Sequence, residues 1–161
     1  FGEQHDLPLS IKECLEKASK SGDSFGKPDF VITFKEFPDT CVVIEDKYGL
    51  EFLKSETKNG NLATTAKAIN DYALNGAVHY ANSILNAEDA KYQYNNIYAL
   101  GISGEGLDEE LEIKYECLLY RRGVDLVKKV DFKDFSYFNK ENFAKNKEDD
   151  ELSEREKHEI L

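Results

Sequence analysis

The chain has 161 residues, 40 % of them hydrophobic and 19 of them Tyr or Phe, with a net charge of −11. That is enough apolar material for one folded domain, which excludes a disordered chain. No apolar run is long enough to span a bilayer, and the acidic balance excludes a strongly basic, self-sufficient nucleic-acid binder. Cys14, Cys41 and Cys117 are odd in number and lack CxxC spacing, so they read as reduced, buried thiols of a cytoplasmic protein.

Residues 8–20 place Leu9, Ile11, Cys14, Leu15 and Ala18 at helical spacing, with Pro8 at the start and Gly22 beyond the end. A Gly- and Ser-containing loop follows. Phe30 to Glu36 and Cys41 to Lys47 then read as two strands of an antiparallel hairpin turned by Pro38-Asp39. A polar loop from Tyr48 to Asn61 leads to the clearest helical pattern, Leu62 to Asn86. There Leu62, Ala66, Ile69, Ala73, Ala77, Tyr80 and Ile84 form one stripe. Thr64, Asp71, Asn75, His79, Asn82 and Asn86 fall on the other face.

Residues 95–103 read as a second buried strand and 111–120 as a further, edge strand. The mixed pattern at 124–130 reads as a short helix, and Phe132, Phe135, Tyr137 and Phe138 as aromatic cover for the core. Residues 148–161 carry seven acids against Arg155 and Lys157, in a charged helical pattern. The order of helix, two strands, long helix and two strands predicts an α/β sandwich with a mixed sheet. Phe1 at the start, no methionine anywhere and a helical, charged end read as a piece of a longer polypeptide.

The chemistry concentrates where strand 41–47 ends in Glu45-Asp46-Lys47. Strand alternation puts Glu45 and Lys47 on one face and Asp46 on the other. An antiparallel hairpin brings Asp29, at the start of its first strand, beside them. Two carboxylates and the backbone carbonyl of Asp46 make an oxygen-rich site suited to Mg²⁺. Lys47 can orient a water or offset charge growing on a phosphate. The plainer reading is an exposed ion pair between Glu45 and Lys47, with Asp29 as a turn residue.

GKPDF at 26–30, VVIEDK at 42–47, YALNGAVHYA at 72–81 and YALGISGEG at 98–106 together resemble the PD-(D/E)XK nuclease domain. The likeness covers residues 8–122 and is strongest to the N-terminal cleavage domain of bifunctional restriction–modification polypeptides. It implies a restriction-endonuclease-like fold, a central mixed β-sheet flanked by helices. It also implies hydrolysis of DNA phosphodiester bonds with Mg²⁺, for which Mn²⁺ substitutes.

Asp29 and Glu45 would be metal ligands and Lys47 the catalytic lysine. The family often draws another ligand from the first helix, where Glu13 and Glu16 are available and Glu13 is preferred. The Gln-x-x-x-Tyr motif that related nucleases carry on the next helix is missing, and Asn75, His79 or Tyr80 stands in its place. Lys54 and Lys58 in the loop, with Asn75 and His79, are candidate DNA contacts; solvated surface roles are the alternative.

The resemblance divides the chain into a nuclease domain at 1–138 and a charged helical linker at 139–161. It implies linked methyltransferase and target-recognition domains, weak binding of double-stranded DNA by this domain alone, and a transient dimer for cutting both strands. A non-catalytic docking or structural module with the same fold is the competing reading.

Overall fold

The hairpin is the first part of the sheet to be set by sequence. The computed structural model describes residues 2–3, 7–16, 18–20, 26–87 and 94–160, the last ten of these by backbone alone. The short strand β1 (Gly2–Glu3) and the helix α1 (Leu9–Cys14) precede β2 (Phe30–Thr33) and β3 (Thr40–Tyr48). The turn between β2 and β3 closes with Thr40 N–H donating to the Phe37 carbonyl at 3.1 Å. Phe30 pairs with Ile44 and Thr33 with Cys41, as the alternation of apolar residues requires.

Beyond β3 come α2 (Ala66–Asp71), α3 (Ala73–Leu85), β4 (Asn96–Glu105), β5 (Glu112–Arg121) and β6 (Val124–Val130). The six strands lie in sequence order, β3 and β4 being parallel and β2–β3 and β4–β5 antiparallel. The expected α/β architecture with a mixed sheet is therefore the observed one, consistent with a restriction-endonuclease-like fold. A parallel pair needs a crossover, and α2 and α3 provide it.

One face of the sheet, carrying Val31, Cys41, Val43, Ile97 and Ala99, packs with Ile11, Cys14 and Leu15 and with Ala77, Tyr80, Ala81 and Ile84 of α3. On the alternate positions Val42, Ile44, Tyr98, Leu100, Cys117 and Leu119 are buried too. Burial on both faces explains why β3 reads as a continuous apolar run.

Four expectations need correction. The helix read over 8–20 is regular only from Leu9 to Cys14, the chain continuing as turns through Leu15 and Ala18. The single helix read over 62–86 is two, broken at Tyr72, whose backbone is extended (φ −116°, ψ 134°). The amide of Leu74 leaves the helical pattern and donates to the Leu53 carbonyl at 2.8 Å. Residues 124–130 form a strand, not a helix, and their pairing to β5 makes β5 interior to the sheet rather than an edge. Alternation in that stretch is masked because Val124 to Val127 are exposed on both sides.

The chain divides into two compact units, Phe1–Lys129 and Val130–Leu161. The aromatics at 132–138 belong to the second, where the ring centroids of Phe132 and Phe138 lie 5.3 Å apart and Phe138 meets Phe143 at 5.9 Å. Within that unit these rings pack on one another. The helix α4 (Lys140–Ile160) follows.

Gly101 of β4 is what lets α3 approach the sheet. A Cβ there would stand 2.5 Å from the Leu74 nitrogen and 2.6 Å from its Cα, both backbone atoms. Overpacking of this kind costs about 1–3 kcal/mol. Gly101→Ala is expected to lower the thermal midpoint by several degrees in a calorimetric scan.

Candidate active site

At the open end of the hairpin, Asp29 immediately precedes β2 and Glu45 to Lys47 close the apolar part of β3. Register lays them side by side. The Asp29 N–H donates to Glu45 Oε2 at 2.8 Å, and the Asp46 N–H donates to Asp29 Oδ2 at 3.0 Å. Glu45 is 1 % exposed, whereas Asp46, on the alternate side of the strand, is exposed. The parity inferred from sequence thus describes these side chains correctly.

A buried carboxylate must be compensated. Glu45 Oε1 is ion-paired with the ammonium of Lys20, a residue the sequence reading passed over. Lys20 is 15 % exposed and lies 5.6 Å from the centroid of the Tyr80 ring. Tyr80 is itself buried, its hydroxyl pushed up to about 12 chiefly by desolvation, and that hydroxyl accepts the Lys27 N–H at 3.4 Å.

Burial drives the Glu45 pKa up to about 7, and the neighbouring Asp29 adds to the rise while Lys20 opposes it. For Asp29, desolvation is outweighed by hydrogen bonding with Glu45 and Asp46 and by the charge of Lys20, and its pKa falls. Asp46 rises through partial desolvation and the Asp29 carboxylate. Two adjacent acids with proton affinities driven apart are a pattern of catalytic clefts and also of structural ion-pair networks.

Lys47 is half-buried on the Glu45 side of β3 and, among the described residues, has no carboxylate within ion-pairing distance. Its strand neighbour is Ser103. That hydroxyl is 0 % exposed and has no hydrogen-bond partner among the described residues. Sequence offered no signal for Ser103, since a serine at the end of an apolar strand is an ordinary strand terminus.

The other candidates sit elsewhere. Among the described residues no group of three His, Cys, Asp or Glu side chains gathers as a ligand set, so Glu13, in the last turn of α1, does not stand with Asp29 and Glu45. Lys54 is engaged with Glu116 at 2.9 Å and Glu56 at 3.6 Å. Lys58 is exposed in the turn closed by the Gly60 N–H to Thr57 carbonyl bond.

Asn75 is 3 % exposed and its amide is fully occupied. It accepts the Ser55 N–H at 2.9 Å and donates to the carbonyls of Ser55 and Ala63 at 2.9 and 2.8 Å. The loop residues Ser55 and Ala63 cover it, so it is buried rather than on the wet face expected for it. His79 Nε2 donates to the Ala18 carbonyl at 2.8 Å. His79 also lines a groove of about 430 Å³ with Ile69, Val78 and Asn82.

In donor chemistry the site fits a magnesium ion. Asp29, Glu45 and the Asp46 carbonyl are hard oxygens, and Mg²⁺ is commonly held by one or two carboxylates while keeping several waters. Both Glu45 oxygens already have partners, however, one fixed on the backbone and the other on Lys20.

The chain is similar to a restriction–modification protein. It is 33 % identical over 113 residues to the type II restriction enzyme and methyltransferase RM.BcgI of Heyndrickxia coagulans. The match covers 69 % of this chain and 17 % of the relative's length. No family model matches the chain, and no solved structure matches it. No helix among the described residues is long and apolar enough to cross a membrane.

The raised Glu45 pKa has a measurable sign. An unfolded Glu protonates near 4.5 and the folded one near 7, so its contribution is fully present below about 4.5 and is lost as pH rises through 7. Asp29, with a lowered pKa, acts in the opposite sense and only below its ordinary value of 3.8. The wild-type chain is therefore expected to lose stability relative to Glu45→Gln between pH 4.5 and 7.5 in urea titrations. Parallel pH profiles would contradict the burial argument.

Proposed function

We propose that this chain is a metal-dependent DNA endonuclease domain of the PD-(D/E)XK kind, belonging to a restriction–modification system. The observation that carries the reading is the pair of backbone hydrogen bonds joining Asp29 to Glu45 and to Asp46, which sets two carboxylates at one strand end with Lys47 beside them. The likeness to a fused restriction enzyme and methyltransferase supports the same reading.

Asp29, Glu45 and the Asp46 carbonyl would hold the ion. When bound there, Mg²⁺ or Mn²⁺ polarises the phosphoryl oxygen and makes a bound water more acidic. Lys47, a compact charge on a flexible stem, orients the attacking water and offsets the negative charge that grows on the phosphate. Asp29 keeps its carboxylate ionised through its hydrogen bonds, so it is ready to coordinate at neutral pH. Tyr80 and α3 keep the inner side of Glu45 dry, which strengthens every charge interaction at that carboxylate.

A net charge of −11 opposes unaided association with DNA. Affinity and site choice would come from methyltransferase and target-recognition domains linked to or associated with this one. One active site per chain cuts one strand, so double-strand cleavage would use two copies meeting transiently.

The engagement of Glu45 by Lys20 favours a second reading, a nuclease fold kept as a non-catalytic docking module. Cleavage of a plasmid by the full chain in saturating Mg²⁺ separates the two. Asp29→Ala and Lys47→Ala are each expected to slow cutting by about 100-fold or more. Undiminished cutting by either variant would remove the assignment. Mn²⁺ should also raise the thermal midpoint of the wild type by mass action, by about 2.7 kcal/mol at one hundred times the Kd; a docking module would not respond.

A further inference from the structure

The position of Lys20 is built, not incidental. The chain that carries it is pinned on either side of Lys20: the Gly26 N–H donates to the Leu15 carbonyl at 2.7 Å, and His79 Nε2 donates to the Ala18 carbonyl at 2.8 Å. From there the side chain crosses α3 at Gly76. A Cβ at Gly76 would stand 3.0 Å from Lys20 Nζ and 3.1 Å from its Cε. The glycine, which weakens a helix interior, leaves a gap that the lysine stem fills. The Tyr80 ring lines the next stretch, 5.6 Å from the ammonium, and the path ends on Glu45 Oε1.

The two oxygens of Glu45 are held differently. Oε2 is held by a backbone amide, that of Asp29, which cannot leave without unzipping the hairpin. Oε1 is held by a single charge on four rotatable methylenes, 15 % exposed and so reachable from solvent. Without any cation, Glu45 would be an uncompensated buried charge, a strongly destabilising state. A divalent ion placed between Asp29 and Glu45 carries twice the charge of the ammonium and needs the same oxygen.

We propose that Lys20 is the resident counter-cation of the site: its ammonium neutralises Glu45 in the metal-free protein and is displaced from Oε1 when a divalent ion binds. This rests on the metal-site reading above. It gives Lys20 a role separate from that of Lys47, which has no carboxylate partner to leave among the described residues. It also accounts for lysine rather than arginine at this position. A guanidinium would grip the carboxylate through a rigid fork, while an ammonium is held as a point charge and exchanges readily.

The displacement is visible without any DNA. The full chain, at fixed pH, is acetylated briefly with an amine-reactive ester, with and without Mn²⁺ or Mg²⁺, and the modified lysines are located by mass spectrometry. Metal binding itself is measured by titration calorimetry on the same sample. The expected result is that metal raises labelling at Lys20 several-fold, that a chelator reverses the rise, and that labelling of the exposed Lys27 does not change. If calorimetry shows the ion binding while Lys20 stays protected, the counter-cation role is overturned and the metal site stands. If no ion binds, the metal site and the counter-cation role fall together.

Discussion

A carboxylate placed inside the fold governs the arrangement around it. Glu45 is in the middle of the sheet, under α3, at a depth where an ionised group is stable only with partners at hydrogen-bonding distance. Its partners come from two directions: the hairpin gives a backbone amide, and the segment after α1 gives a lysine. The lysine would not reach it if α3 packed differently. The close approach of α3 depends on Gly101 beneath Leu74, and the passage of Lys20 depends on Gly76. Two glycines in unrelated elements thus serve one buried charge.

The same burial separates the behaviour of the neighbouring acids. Asp29 is half-buried and collects hydrogen bonds that favour its charged form; Glu45 is enclosed and its charged form is penalised. A phosphodiester-cleaving site needs both an anion that stays charged and a low-dielectric wall against which charge acts strongly. In the proposed nuclease reading, the strand end would supply the first through Asp29 and the second through Tyr80 and the α3 backbone.

Much of this was legible in the sequence. The β-branched run from Cys41 to Ile44 identified a buried strand, Pro38-Asp39 identified its turn, and strand parity then assigned Glu45 and Asp46 to opposite faces without reference to a structure. What sequence periodicity could not reveal was tertiary. Tyr72 has no feature that marks a helix break, because apolar residues continue at helical spacing on both sides of it, and its extended backbone appears only in the folded chain. Asn75 left its expected wet face because the preceding loop folds over it and bonds to its amide. Lys20 followed an amphipathic pattern as an ordinary charged terminus; its significance lies in a gap on a helix more than fifty residues away. The extended stretch at 124–130 lacked alternation because so many of its side chains are solvent-facing, so the period-2 signal was never written there.

The clasp made by Asn75 ties the loop after β3 to the start of α3 through three hydrogen bonds. Lys54 and Ser55 are adjacent on that loop, and Lys54 reaches Glu116 on β5, the strand position that faces Gly101. One side-chain amide therefore adds to the backbone bonds, Ala63 N–H to Ser55 and Leu74 N–H to Leu53, that tie this loop to the level of the Glu45–Lys47 strand end. Long loops without secondary structure cost little to close but move widely once closed. Here the loop is anchored at several points, and the Asn75 clasp joins it directly to the helix that roofs Glu45.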